Sequence, residues 1–134
     1  MPTKRLRSTP DNFEAFGIAQ AYQADNLIFM SGQIAWTLEG EVVGVGDMAA
    51  QAKQAMENIA AVLANGGSDM SKVVKLTVYV TDMALSQEAM GAINSYFEAP
   101  PPAVTLVQVV ALALPDIMIE IDAIASVTDP RTDG

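Results

Sequence analysis

The sequence has 134 residues, 51% of them hydrophobic and 17% charged, the balance of one compact globular domain rather than of a disordered or fibrous chain. Seven Lys and Arg stand against sixteen Asp and Glu, and between Asp11 and Pro130 only Lys53, Lys72 and Lys75 face fifteen acids. A body with a formal net charge of −9 repels phosphate backbones, so nucleic-acid binding through a basic face is set aside.

Cysteine and histidine are both absent. Their absence removes disulfides, thiolate metal sites, cysteine nucleophiles and the commonest general base. Any chemistry falls to carboxylates, hydroxyls, amides, Lys, Arg, backbone groups and water. The start, Met-Pro-Thr-Lys-Arg, lacks the apolar core and cleavage site of a signal peptide. The longest uncharged run, residues 99–115, is broken by Pro100, Pro101, Pro102 and Pro115, which leaves about eleven apolar-rich positions where a bilayer needs about 20. No membrane contact and a reducing cytoplasm are expected.

In chain order, the polar ends, residues 1–12 and 129–134, read as loose around an ordered core of about 13–128. Residues 26–30 (Asn-Leu-Ile-Phe-Met) read as a strand that stops at Ser31-Gly32-Gln33, and Glu39-Gly40-Glu41 as a turn before Val42-Val43. From Met48 the period changes to that of a helix: Ala52, Ala55, Met56, Ile59, Val62 and Leu63 share one face. Asp47 is placed to cap it and Asn65-Gly66-Gly67 to stop it. Residues 72–81 alternate as a strand with one wet face. Asp82 can cap a second helix carrying Leu85, Ala89, Ile93 and Phe97 on one side, ended by the triple proline. Two further strands are expected over 104–112 and 117–127.

This order predicts an α+β layout, a single sheet with both helices on one side. On the strand from Val104 both alternating sets are apolar, so both faces call for cover and two helices supply only one. A soluble monomer leaves apolar patches of roughly 300–600 Å² at most, and self-association in a closed ring is the simplest remedy.

Glu120 is the leading candidate for chemistry. It lies in Ile-Met-Ile-Glu-Ile-Asp-Ala-Ile over residues 117–124, where apolar neighbours would raise its pKa and suit it to direct a water. Glu120 and Asp122 can equally mark the solvent face of an ordinary antiparallel strand. Ser31 could bind a ligand or orient water, and Gly32 allows close backbone approach, although a plain turn also accounts for them. Gly44-Val45-Gly46-Asp47 lacks the Lys-Ser/Thr of a P-loop and reads as turn and cap. The eight Met and the lone Trp36 read as core filling or interface packing.

Taken together, Ser31-Gly32-Gln33, residues 51–58 with Leu63, residues 73–82, Pro102-Ala103 and residues 120–125 resemble the reactive intermediate deaminase family (Rid, also called RidA/YjgF) over about residues 17–127. The resemblance implies a chorismate-mutase-like fold, a mixed sheet with two helices on one face, and a homotrimer built around a central barrel with small-molecule clefts between subunits. It also implies hydrolysis of enamines or imines to ammonia and a keto product, without metal or cofactor. The family's water-positioning glutamate matches Glu120, and Ser31, Gly32 and Gln33, which keep the family's Ser-Gly-Gln, are expected to help hold the ligand. The arginine that clamps substrate carboxylates is replaced by Val104, the family tyrosine by Ile18, the asparagine of the second helix by Met90 and the small or thiol residue by Leu106. Losing such a clamp costs about 1.5–3 kcal/mol of anion affinity. The expected function is therefore hydrolysis or deamination of a small enamine, imine, aromatic amine or hydroxylamine. The alternative is a non-catalytic small-molecule-binding or interaction protein on the same trimeric scaffold. Ribonuclease activity, claimed for some relatives, fits an acidic chain without histidine badly.

Overall fold

The computed structural model describes residues 2–134. Seven strands form one sheet: β1 (Lys4–Leu6), β2 (Ala21–Ala24), β3 (Leu27–Met30), β4 (Gln33–Ile34), β5 (Val73–Val80), β6 (Ala103–Gln108) and β7 (Ile119–Ser126). Their spatial order is β1-β2-β3-β7-β5-β6, with β4 also paired to β7. Every pairing is antiparallel except β5 with β6, which is parallel and bridged by helix α2 (Ser86–Asn94). Helix α1 (Met48–Asn65) connects β4 to β5. This is the mixed sheet with two helices that the sequence predicts.

Helix α1 forms as its pattern requires. The Asp47 carboxylate accepts a hydrogen bond from the Ala50 amide at 3.0 Å, which satisfies one of the free N–H groups of the first turn. At the other end Gly67 adopts φ +73°, and Ser68 N–H reaches back to Leu63 O at 2.9 Å, closing the helix. Its predicted face, Ala52 to Leu63, is buried against the sheet with Ile28, Leu76, Val78, Ile119 and Ile121.

Several boundaries differ from the sequence reading. Asp82 caps a short 3₁₀ turn, Met83–Leu85, that leads into α2, and α2 ends at Asn94, well before the prolines. Tight bonds from Tyr96 N to Ile93 O and Phe97 N to Asn94 O already draw the last turn closed. The strand expected over 104–112 spans Ala103–Gln108, because its partner β5 ends at Val80 and leaves nothing to pair with beyond it. The one expected over 117–127 begins at Ile119. The polar N-terminal segment is tied in as well: β1 pairs with β2, and Leu6 is buried. Near the C-terminus, Arg131 donates to the carbonyls of Met70, Val73, Glu98 and Pro100.

The two sides of the sheet are unlike. One is sealed by α1 and α2. The other carries Tyr22, Phe29, Ile124 and Val107 beside Lys75, Thr77, Tyr79 and Asp122, with no helix over them. Strand β6 is a sheet edge exposed along most of its length, with Leu106 partly buried against the main core. No helix of the described residues is long and apolar enough to cross a membrane.

Candidate active site

Glu120 stands on the uncovered side of β7, opposite Ile34 of β4 and Tyr79 of β5. Its neighbours Ile119 and Ile121 point the other way into the core. The alternation of the strand thus sets a carboxylate one residue from the most rigid packing in the molecule.

The Glu120 carboxylate lies in a cleft of about 520 Å³, lined also by Phe13, Phe16, Ile18, Ser31, Gly32, Ile34, Trp36, Ala113 and Leu114. Among the described residues it makes no hydrogen bond to another side chain or to the backbone, so its oxygens are free for a ligand or water. Partial burial raises its pKa above the usual carboxylate value, and the like charge of Asp122 adds to the rise. Asp122 itself accepts a hydrogen bond from the Tyr79 hydroxyl at 3.3 Å.

Gly32 is what lets the acid sit there. A Cβ on residue 32 would fall 2.5 Å from Glu120 Cδ and 2.7 Å from Cγ, inside van der Waals contact, so any larger residue would push the carboxylate aside. Ser31 is committed to structure: its hydroxyl donates to Ala19 O at 2.6 Å and its amide to Gln20 O at 2.9 Å. Its oxygen remains an acceptor, and the two bonds tie it to the Ala19–Gln20 backbone that follows Ile18 of the cleft. From behind, buried Gln51 of α1 accepts from Met118 N–H at 2.8 Å and donates to Asp116 O at 2.8 Å, fixing the entry of β7 two residues ahead of Glu120.

The sequence-derived site residues fall into separate groups. Glu120, Ser31, Gly32 and Ile18 meet in the cleft. Gln33 is buried on the helix side, level with Ile121, its amide nitrogen turned to Ser31 O. Val104 and Leu106 align with Leu76 and Val78 on the helix side of β6, and Met90 packs on α2 against the main core. Within one chain these three do not reach Glu120.

Phe13, Phe16 and Trp36, absent from the sequence-derived set, form the cleft's aromatic wall. Phe13 and Trp36 meet edge-on with centroids 5.4 Å apart, and Phe16 lies 6.0 Å from Trp36. Trp36 belongs to a small separate core with Phe13, Ile34, Ala35 and Ile117. The signal available in the sequence was the lone tryptophan shortly after Ser31-Gly32-Gln33.

Another depression, of about 480 Å³, lies between Asp47, Lys53 and Tyr96. Its phenol is already engaged, donating to Glu57 at 2.7 Å. Among the described residues no three carboxylates approach closely enough to hold a metal ion.

A family model described as Endoribonuclease L-PSP matches residues 11–127. The chain belongs to the Rid (RidA/YjgF) family. It is 41% identical over 109 residues to protein DfrA of Myxococcus xanthus, covering 80% of this chain and 82% of that one. To 3-aminoacrylate deaminase RutC of Acinetobacter baylyi it is 35% identical over 107 residues, covering 80% and 84%. The crystal structure of YyfA from Yersinia pestis, a conserved Rid protein of unknown function, superposes with a TM-score of 0.86 at 28% identity, covering 93% of this chain and 99% of that one. The Rid fold expected from the sequence is thus the observed one, and relatives include named deaminases.

Proposed function

We propose that this Rid-family chain hydrolyses a small enamine, imine, aromatic amine or hydroxylamine, with Glu120 directing the water. The observation that carries the reading is a carboxylate of raised pKa, free of protein hydrogen bonds, held against Gly32 in a largely apolar cleft. The deaminase names of relatives support it.

For a C=N substrate the steps balance without a co-reactant. Glu120 takes a proton from water as the oxygen adds to the imine carbon and passes it to the nitrogen, which gives a neutral carbinolamine. Glu120 then takes the hydroxyl proton as the carbonyl forms and the C–N bond breaks with its electron pair on nitrogen. It hands that proton to the departing nitrogen, and ammonia and a carbonyl compound leave. An enamine joins the route once its carbon is protonated. An acid whose pKa is raised toward the working pH serves both the taking and the giving of the proton.

The family's carboxylate-clamping arginine is replaced here by Val104, so the usual amino-acid-derived imino acids are poor substrates in this proposal. A homotrimer would bring Met90, Val104 and Leu106 of one copy toward the Glu120 cleft of the next. The uncovered sheet side and the exposure of Val104 and Val107 favour such an assembly. The absence of cysteine suits a reducing cytoplasm.

The test is ammonia release from a panel of enamines, imines and aromatic hydroxylamines. Glu120→Gln should lower turnover by about 10²–10⁴-fold with the fold intact. Unchanged turnover in that variant removes Glu120 from the chemistry, and no release by the wild type leaves the binding-protein alternative. A single-chain mass in sedimentation equilibrium would overturn the trimer.

A further inference from the structure

We propose that the Glu120 cleft selects a ring-bearing substrate of neutral or positive charge, and that Phe16 is the specificity-determining residue. The proposal rests on the reading of this cleft as the site, and three observations on different parts of it converge.

The chain's only tryptophan and two of its four phenylalanines meet in this cleft. Phe13 and Trp36 are each 7% exposed, but Phe16, tilted 34° to the indole, keeps 66% of its surface in solvent. An aromatic ring at the mouth of an apolar cleft, packed on its inner side and bare on its outer one, offers a stacking surface that a planar ligand can complete. The cleft volume lies within the usual range of roughly 300–1,000 Å³ for small-molecule sites.

Phe16 is also presented on a braced turn. It ends the 3₁₀ turn Glu14–Phe16, closed by Gly17 at φ +71°. Phe13 N–H donates to Asp11 at 3.0 Å, Asn12 donates to Thr37 O at 3.0 Å, and Arg7 pairs with Glu14 at 3.1 Å. Such a brace holds the ring in place before any ligand arrives, which reduces the ordering that binding would otherwise require.

Charge decides the rest. Among the described residues of one chain, Glu120 is the one ionisable side chain lining the cleft, and Asp122 follows on the same side of the strand. No Lys or Arg among the described residues lines it, and Arg5 and Arg7 are turned to Asp11 and Glu14. A carboxylate substrate would meet like charge without a counter-ion, whereas an amine or iminium would meet both Glu120 and aromatic faces.

Trp36, as the sole tryptophan, reports occupancy by its own fluorescence, independently of turnover. Titration with benzylamine, benzyl alcohol, benzoate and n-butylamine is expected to give affinities at least about tenfold higher for the two neutral or cationic ring compounds than for the other two. Phe16→Ala should weaken benzylamine roughly three- to tenfold, and Phe16→Tyr should restore it. Because Phe16 lies outside the main core, both variants should keep the wild-type melting temperature. Benzoate binding as tightly as benzylamine, or benzylamine affinity untouched in Phe16→Ala, would overturn the proposal. Glu120→Gln separates the two readings. Loss of turnover with benzyl alcohol binding retained supports both, and ring selectivity in a wild type that releases no ammonia supports this one alone. Turnover without ring selectivity overturns this one alone.

Discussion

Strand β7 carries two chemistries on alternate residues. Ile119, Ile121, Ala123 and Ala125 face α1 and α2 and are sealed from solvent, while Glu120, Asp122, Ile124 and Ser126 face the uncovered side. The sealed set anchors the strand through close aliphatic packing, which resists even small displacements. The open set inherits that rigidity at no further cost in packing, so a carboxylate can be held beside Gly32 while its oxygens stay free. A loop-borne acid would need its own brace to be positioned as well.

Breaking the sealed side should have the largest effect. Ile121→Ala removes a fully buried side chain and should cost about 2–5 kcal/mol in chemical denaturation, whereas Ile124→Ala on the open side should cost less than half as much in the isolated chain. Equal losses would mean that the two sides are not energetically distinct. Next in size, Gly32→Ala displaces the carboxylate without touching the core. Turnover should fall roughly ten- to a hundredfold while the denaturation midpoint moves little.

The smallest effects are in pH. The fold disfavours ionised Glu120, so the stability this group contributes is full below the ordinary carboxylate range and is lost as pH rises through its own raised pKa. Glu120→Gln should therefore melt slightly above the wild type at neutral pH, despite losing turnover. Removing the neighbouring charge in Asp122→Asn lowers the Glu120 pKa, so the acid limb of the rate profile should slide to lower pH. A slide to higher pH would mean that Asp122 does not act on Glu120 through charge.

Much of the fold was legible because the main core is periodic. The face from Ala52 to Leu63, the alternation of β5 and the position of Glu120 all follow from spacings of 3.6 and 2. Strand ends were less legible, since β6 stops where β5 runs out, a fact of pairing that no local pattern encodes. The site was half legible. Ser31, Gly32, Ile18 and Glu120 do converge, but Met90, Val104 and Leu106 lie on α2 and the helix side of β6, because register decides which face a strand residue takes. Phe13 and Phe16 were invisible for another reason: a 3₁₀ turn within a polar segment has no hydrophobic period, and Trp36, read as core filling or interface packing, is both core and cleft wall.

Gln51 ties this arrangement to the helix layer. Its one amide reads the backbone on both sides of residue 117, accepting from Met118 and donating to Asp116. The position of the Glu120 carboxylate in its cleft is thereby gauged from a helix on the far side of the sheet. A glutamate at that position could still accept but would strand a carbonyl, so this acid's placement answers to a residue outside the cleft that the acid lines.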